Sequence, residues 1–145
     1  MKLKNANVLI TGGASGIGKI MGRMALEKGA KTFIIWDINI TNIEATRNEL
    51  SKFGRVKGYV VDVSNPEMAE LAYRKAVSDC GYIDVLINCA GIITSNKTFD
   101  QVSTDEIIRT ININTIAPML VARTVLPDML KRNRGHICNI TSAGG

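Results

Sequence analysis

Short runs of apolar, often β-branched residues alternate with longer stretches of helical periodicity along the whole chain, and this alternation leaves few folds open. Val8-Leu9-Ile10 reads as a first strand, followed by glycines and a helix from Lys19 to Lys28. Further strands are expected over Thr32–Trp36, Val56–Val61, Ile83–Ile87 and His136–Ile140. The helices between them are expected over Asn42–Phe53, Pro66–Asp79 and Thr104–Leu130, the last with Pro118 and Pro127 as bends or breaks. Pro66 after Ser64-Asn65 suits a capped helix start with proline in the first turn. Strands this apolar are buried on both faces, as in parallel sheets covered by helices, and right-handed crossovers then wind the helices onto both sides. The expected fold is α/β, a doubly wound parallel sheet of Rossmann type in three α/β/α layers, truncated after the fifth strand.

The 145 residues suffice for one domain with a sizeable core, and 46% hydrophobic with 21% charged residues is an ordinary globular balance. No run approaches the ~20 apolar residues of a membrane span. Met1 to Asn5 leads straight into the first strand without room for a signal peptide, so a cytoplasmic protein with no membrane anchor in this chain is expected. Cys80, Cys89 and Cys138 lack CxxC spacing, and His136 is the sole histidine, so reduced thiols and no metal are expected. The net charge of +5 is densest in Lys131-Arg132-Asn133-Arg134-Gly135-His136, between a helix and a strand. That run reads as a solvated turn after a helix C-terminus, and no aromatic set accompanies it for nucleic-acid stacking. No nucleic-acid partner is expected.

Thr11-Gly12-Gly13-Ala14-Ser15-Gly16-Ile17-Gly18 falls where the first strand hands over to the first helix. Glycines let backbone approach a ligand closely, and the helix start offers unpaired N–H groups and the positive end of its dipole, a setting that suits a pyrophosphate. The alternative is a tight strand-to-helix turn with no ligand. Asp37 ends the second strand, where a dinucleotide fold uses an acidic residue to accept hydrogen bonds from the adenosine ribose. A 2′-phosphate would meet that carboxylate as a like charge, and Ile38 offers no compensating cation, so NAD is favoured over NADP. A helix-capping aspartate is the alternative.

These residues resemble the short-chain dehydrogenase/reductase family. Thr11-Gly12, Gly16, Ile17 and Gly18, with Ser15 before them, are similar to that family's cofactor fingerprint. Asp62-Val63 is similar to its adenine-contacting pair, and Asn88-Cys89-Ala90-Gly91 to its Asn-Asn-Ala-Gly motif. Asn114 matches its active-site asparagine, and Ser142, in Asn139 to Gly145, its catalytic serine. Trp36-Asp37-Ile38-Asn39 and Gly135-His136-Ile137 resemble the branch containing retinol and 17β-hydroxysteroid dehydrogenases. The resemblance implies an NAD(P)-binding Rossmann domain over residues 1–145, incomplete at its C-terminus, from an oxidoreductase that moves a hydride between NAD(H) and a secondary alcohol or ketone. It also implies a homodimer or homotetramer built on the long helix.

In this family a Tyr-x-x-x-Lys motif downstream of the serine supplies the acid/base. Tyr59, Tyr73 and Tyr82 are followed four places later by Val63, Val77 and Leu86, so none matches. The expectation is that Gly145 is not the natural terminus and that this chain alone lacks turnover. A non-catalytic NAD-binding module or an oligomerisation subunit is the alternative. Substrate identity would rest on residues beyond the chain and on the loop Ile92 to Thr98.

Overall fold

The computed structural model describes residues 3–93 and 97–142. Five strands, β1 (Asn7–Thr11), β2 (Thr32–Asp37), β3 (Arg55–Val60), β4 (Val85–Asn88) and β5 (His136–Asn139), form a parallel sheet in the order β3-β2-β1-β4-β5. The chain winds outward from β1 to β3 and then returns to pair β4 on the other side of β1. This reversal makes the carboxyl ends of β1 and β4 the topological switch point, the place where open α/β sheets leave a crevice for ligands.

Burial on both faces follows from the strand sequences. Leu9, Ile34, Trp36 and Leu86 pack on one face against α3 (Pro66–Cys80) and α5 (Ala117–Lys131). Val8, Ile10, Phe33 and Ile35 pack on the other against α1 (Gly16–Glu27) and α2 (Ile40–Leu50). Gly22 lets α1 close on this face, because a Cβ there would lie 2.3 Å from the Phe33 ring. The three-layer doubly wound arrangement expected from the sequence is the one found.

Local boundaries differ in instructive ways. Helix α1 begins at Gly16 rather than Lys19, since the Lys19 N–H already donates to the Ser15 carbonyl at 3.0 Å. The glycine motif therefore supplies the first helical turn itself. Helix α2 stops at Leu50, and a 3₁₀ turn over Ser51–Phe53 carries the chain to Gly54. The expected helix over Thr104–Leu130 is resolved into α4 (Thr104–Ile111), a π-helical turn (Asn112–Ile116) and α5. Pro118 sits in the first turn of α5, just after the π turn, whose wider ring suits a residue without an N–H. The helix runs through Pro127 without ending.

Apart from Arg132, the basic turn after α5 is exposed, as expected of a solvated turn. Arg132 and Arg134 reach Asp84 Oδ1 at 3.1 and 3.2 Å, drawn by a carboxylate buried at the foot of β4. Cys80 is buried and Cys89 and Cys138 half-buried, all as free thiols. Among the described residues no helix is long and apolar enough to cross a membrane, and no cluster of His, Cys, Asp and Glu is placed to hold a metal ion.

Candidate functional site

A cleft of about 770 Å³ opens over the carboxyl ends of β1 to β4. Its floor is the glycine-rich turn. Gly12 has φ +65°, and a Cβ there would lie 2.9 Å from the Ala90 Cα, so this residue must be glycine for the ends of β1 and β4 to meet. Gly18 allows α1 to return over the turn, since its Cβ would fall 2.3 Å from the Gly12 carbonyl oxygen. Gly16, at φ +49°, has open space where a side chain would stand.

The start of α1 is left available. Asn39, Asn65 and Ser103 each cap their helix with a side-chain oxygen accepting backbone N–H groups. Ser15 makes no such bond at α1, and no acidic residue occupies that helix's first turn. The first N–H groups of α1 and the positive end of its dipole therefore meet the cleft without a side-chain cap or an acidic first turn, the condition for binding an anion.

Beside this turn stands Asp37, half-buried at the end of β2. One carboxylate oxygen accepts from the Ala14 N–H at 3.2 Å, and the other from the Asn39 N–H at 3.1 Å. Each oxygen retains further lone pairs. Ile38, exposed beside it, brings no cation to this corner. At the end of β3, Asp62 is held by the Ser64 N–H at 2.9 Å and the Ser64 hydroxyl at 2.6 Å, with Val63 buried behind it.

The β4 motif closes the wall. Thr11 Oγ1 accepts from both the Cys89 and Ala90 N–H groups at 3.1 Å, lacing the ends of β1 and β4 together. Burial, and secondarily the neighbouring Cys138, pushes the Cys89 thiol above its ordinary range, which fits packing rather than reactivity. Asn114, in the π turn, accepts from the Ile92 N–H at 2.9 Å and donates to the Ile92 carbonyl at 2.7 Å. This two-point clamp fixes the chain just past Gly91 to the helix above it.

Of the cofactor residues expected from sequence, Gly12, Ser15, Gly16, Ile17, Gly18, Asp37, Ile38, Asp62, Val63, Ala90 and Gly91 all line this one cleft. Asn88 does not. Its amide donates to the Asn139 side chain at 2.9 Å and the Pro118 carbonyl at 3.2 Å, tying β4 to β5 and α5. Asn114 stands behind the wall, and Ser142 lies exposed beyond β5. Of the expected serine motif, residues 143–145 lie outside the described residues, as do 94–96 of the expected substrate loop.

The sequence reading missed the roof. Asp105, Ile108, Arg109, Asn112 and Ile113 also line the cleft, because the first half of the long helix overhangs the sheet. Nothing local in that amphipathic stretch marks which residues overhang. The tyrosines have their own partners: Tyr59 donates to Asp79 and Tyr73 to Asp128, and burial together with the carboxylate raises both phenols above their ordinary value. A proton-accepting tyrosine needs the opposite shift, so neither is suited to acid/base work.

Comparison with known proteins agrees with this geometry. Residues 6–145 match the family model for short chain dehydrogenase. The chain is 34% identical over 139 residues to estradiol 17-beta-dehydrogenase 11 of Rattus norvegicus, covering 95% of this chain and 46% of the relative. It is 35% identical over 145 residues to the uncharacterized oxidoreductase YvrD of Bacillus subtilis (strain 168), covering all of this chain and 54% of that protein. It thus spans about half the length of the curated relatives it matches. Among solved structures, NAD+-bound xylitol dehydrogenase superimposes with a TM-score of 0.92 at 26% identity, over 98% of this chain and 55% of that one. A metagenomic short-chain oxidoreductase in complex with NADP gives 0.90 at 26% identity, over 99% and 65%. The chain belongs to the short-chain dehydrogenase family.

Proposed function

We infer that this chain is the dinucleotide-binding part of an NAD-dependent dehydrogenase that transfers a hydride between NAD(H) and a secondary alcohol or ketone. The observation that carries the reading is the uncapped start of α1 opening into the same cleft as the Asp37 carboxylate. The helix start would hold the pyrophosphate, and Asp37 the two adenosine ribose hydroxyls. Structural neighbours hold either NAD+ or NADP, so the preference rests on Asp37 and Ile38, which together disfavour a 2′-phosphate.

Asp62 and Val63 would border the adenine, and Ala90 and Gly91 would let the cofactor pass β4. Bound there, NAD supplies the hydride acceptor. Asn88 would act from behind, by bracing β4. Ser142 would donate a hydrogen bond to the substrate oxygen, and Asn114 would hold the Ile92 backbone in place for a proton path. The acid/base tyrosine of the family has no counterpart among Tyr59, Tyr73 and Tyr82.

A homo-oligomer built on α4 and α5 is part of the same reading, supported by exposed Ile111, Ile116, Met119 and Leu130 along them. The substrate class is kept at secondary alcohols and ketones, because named relatives range from an estradiol dehydrogenase to a xylitol dehydrogenase. The test is NADH formation by the full-length protein across a panel of sterol, retinoid and polyol alcohols. Turnover with at least one is expected, and Ser142→Ala should lower it on the order of 100-fold. Absence of turnover across the panel would count against the dehydrogenase reading.

A further inference from the structure

Three threonines lie in the interiors of helices in positions where their hydroxyls can be compared. Thr110 donates to the Glu106 carbonyl at 2.7 Å and Thr124 to the Leu120 carbonyl at 3.0 Å, both four residues back in the same helix. This is the ordinary fate of a helical threonine. Thr46 in α2 does otherwise. Its hydroxyl donates 2.7 Å to the Ala14 carbonyl, 32 residues away in the glycine-rich turn. Thr46 is 1% exposed, between Ile43 and Leu50 on the buried face of α2, so the bond is made out of water.

The same residue, Ala14, gives its N–H to Asp37 Oδ2. Ala14 is thus gripped on both sides, its N–H by the end of β2 and its carbonyl by α2. A trans peptide is planar, with C=O and N–H antiparallel, so drawing the Ala14 carbonyl toward α2 turns the Ser15 N–H away from it. Ser15 begins the uncapped turn that lines the cleft.

We propose that Thr46 is a positioning residue for the phosphate-binding turn, setting the orientation of the Ala14–Ser15 peptide through its hydroxyl without touching the cofactor. This rests on the NAD-binding reading above. It makes the affinity for the pyrophosphate depend on α2, an element that lines no part of the cleft.

The test compares Thr46→Val, which keeps the shape and removes the donor, with Thr46→Ser, which keeps the donor, in the full chain. Calorimetry with NAD and with adenosine separates the phosphate-binding turn from the ribose and adenine contacts. Thr46→Val should weaken NAD about 10-fold and leave adenosine within about 2-fold, with Thr46→Ser restoring NAD affinity. Amide exchange at residues 13–16 should quicken in unliganded Thr46→Val and return to the wild-type rate in Thr46→Ser. Equal loss of NAD and adenosine would make Thr46 merely structural and overturn the proposal, as would an unchanged NAD affinity. If Thr46→Val does not fold, Thr46→Cys, of similar size with a weak donor, takes its place with the same criteria. Wild-type protein that fails to bind NAD would instead overturn the reading on which the proposal rests.

Discussion

At the amino end of the sheet, polar side chains are spent on one another and on the backbone around them. Asp84 accepts from the Asn7 N–H at 3.0 Å and from Arg132 and Arg134, while Arg132 also donates to the Ile83 carbonyl at 2.7 Å and lies 4.7 Å from the centre of the Tyr82 ring. The Asn7 amide donates to the Cys80 and Tyr82 carbonyls. At the carboxyl end the side chains hold the segments that border the cleft: Thr11 on Cys89 and Ala90, Thr46 on Ala14, Asn114 on Ile92. What remains there is a glycine-rich turn leading into α1, whose start has no side-chain cap. One end ties β1, β4 and α5 together through an ion-pair network; the other is held by hydrogen bonds yet leaves a helix start uncapped, the arrangement a preorganised anion site requires.

This contrast can be broken from either side. The largest effect is expected at Gly18, where any Cβ collides with the Gly12 carbonyl oxygen. Gly18→Val should abolish measurable NAD binding and lower stability by about 1–3 kcal/mol, read by calorimetry and urea unfolding. Asp84→Asn, at the closed end, should do the reverse. Leaving Arg132 and Arg134 without their carboxylate should destabilise the chain by about 2–3 kcal/mol while NAD affinity stays unchanged. A variant at Asp84 that weakened NAD as much as it weakened the fold would mean the two ends are not separable.

The smallest effect concerns pH. Burial, then the hydrogen bond to Asp128, pushes the Tyr73 phenol above its ordinary value of 10.0. The folded state therefore keeps a proton that the unfolded chain releases near that pH. The contribution is fully present below about pH 10 and is lost as pH rises toward the folded value. Tyr73→Phe should cost about 1 kcal/mol at neutral pH and then lose less stability than wild type between about pH 9 and pH 11. Equal alkaline loss in both proteins would remove Tyr73 from the account.

The parts of this molecule that could be read from sequence are those written in local patterns. β-Branched runs separated by helical periods marked a doubly wound parallel sheet, and glycine spacing after a strand located the turn. Asp37 was legible as a cleft residue because it ends a strand at the carboxyl edge of the sheet. Thr46 and the hydroxyl bonds of Thr11 were not, because a threonine's partner 32 or 78 residues away leaves no periodic trace. The overhang of Asp105, Ile108 and Arg109 depends on how α4 sits over the sheet, which no local pattern records. Asn88 was legible as a motif, yet its side chain turned out to brace β5 and α5 rather than face the cleft.

The most direct test of the central claim is parallel calorimetric titration of the wild-type chain and Asp37→Ala with NAD and NADP. Wild type should bind NAD at least about 10-fold more tightly than NADP, and Asp37→Ala should weaken NAD and narrow that gap while the fold stays intact by circular dichroism. A folded wild-type chain that binds neither nucleotide, or prefers NADP, would contradict the account.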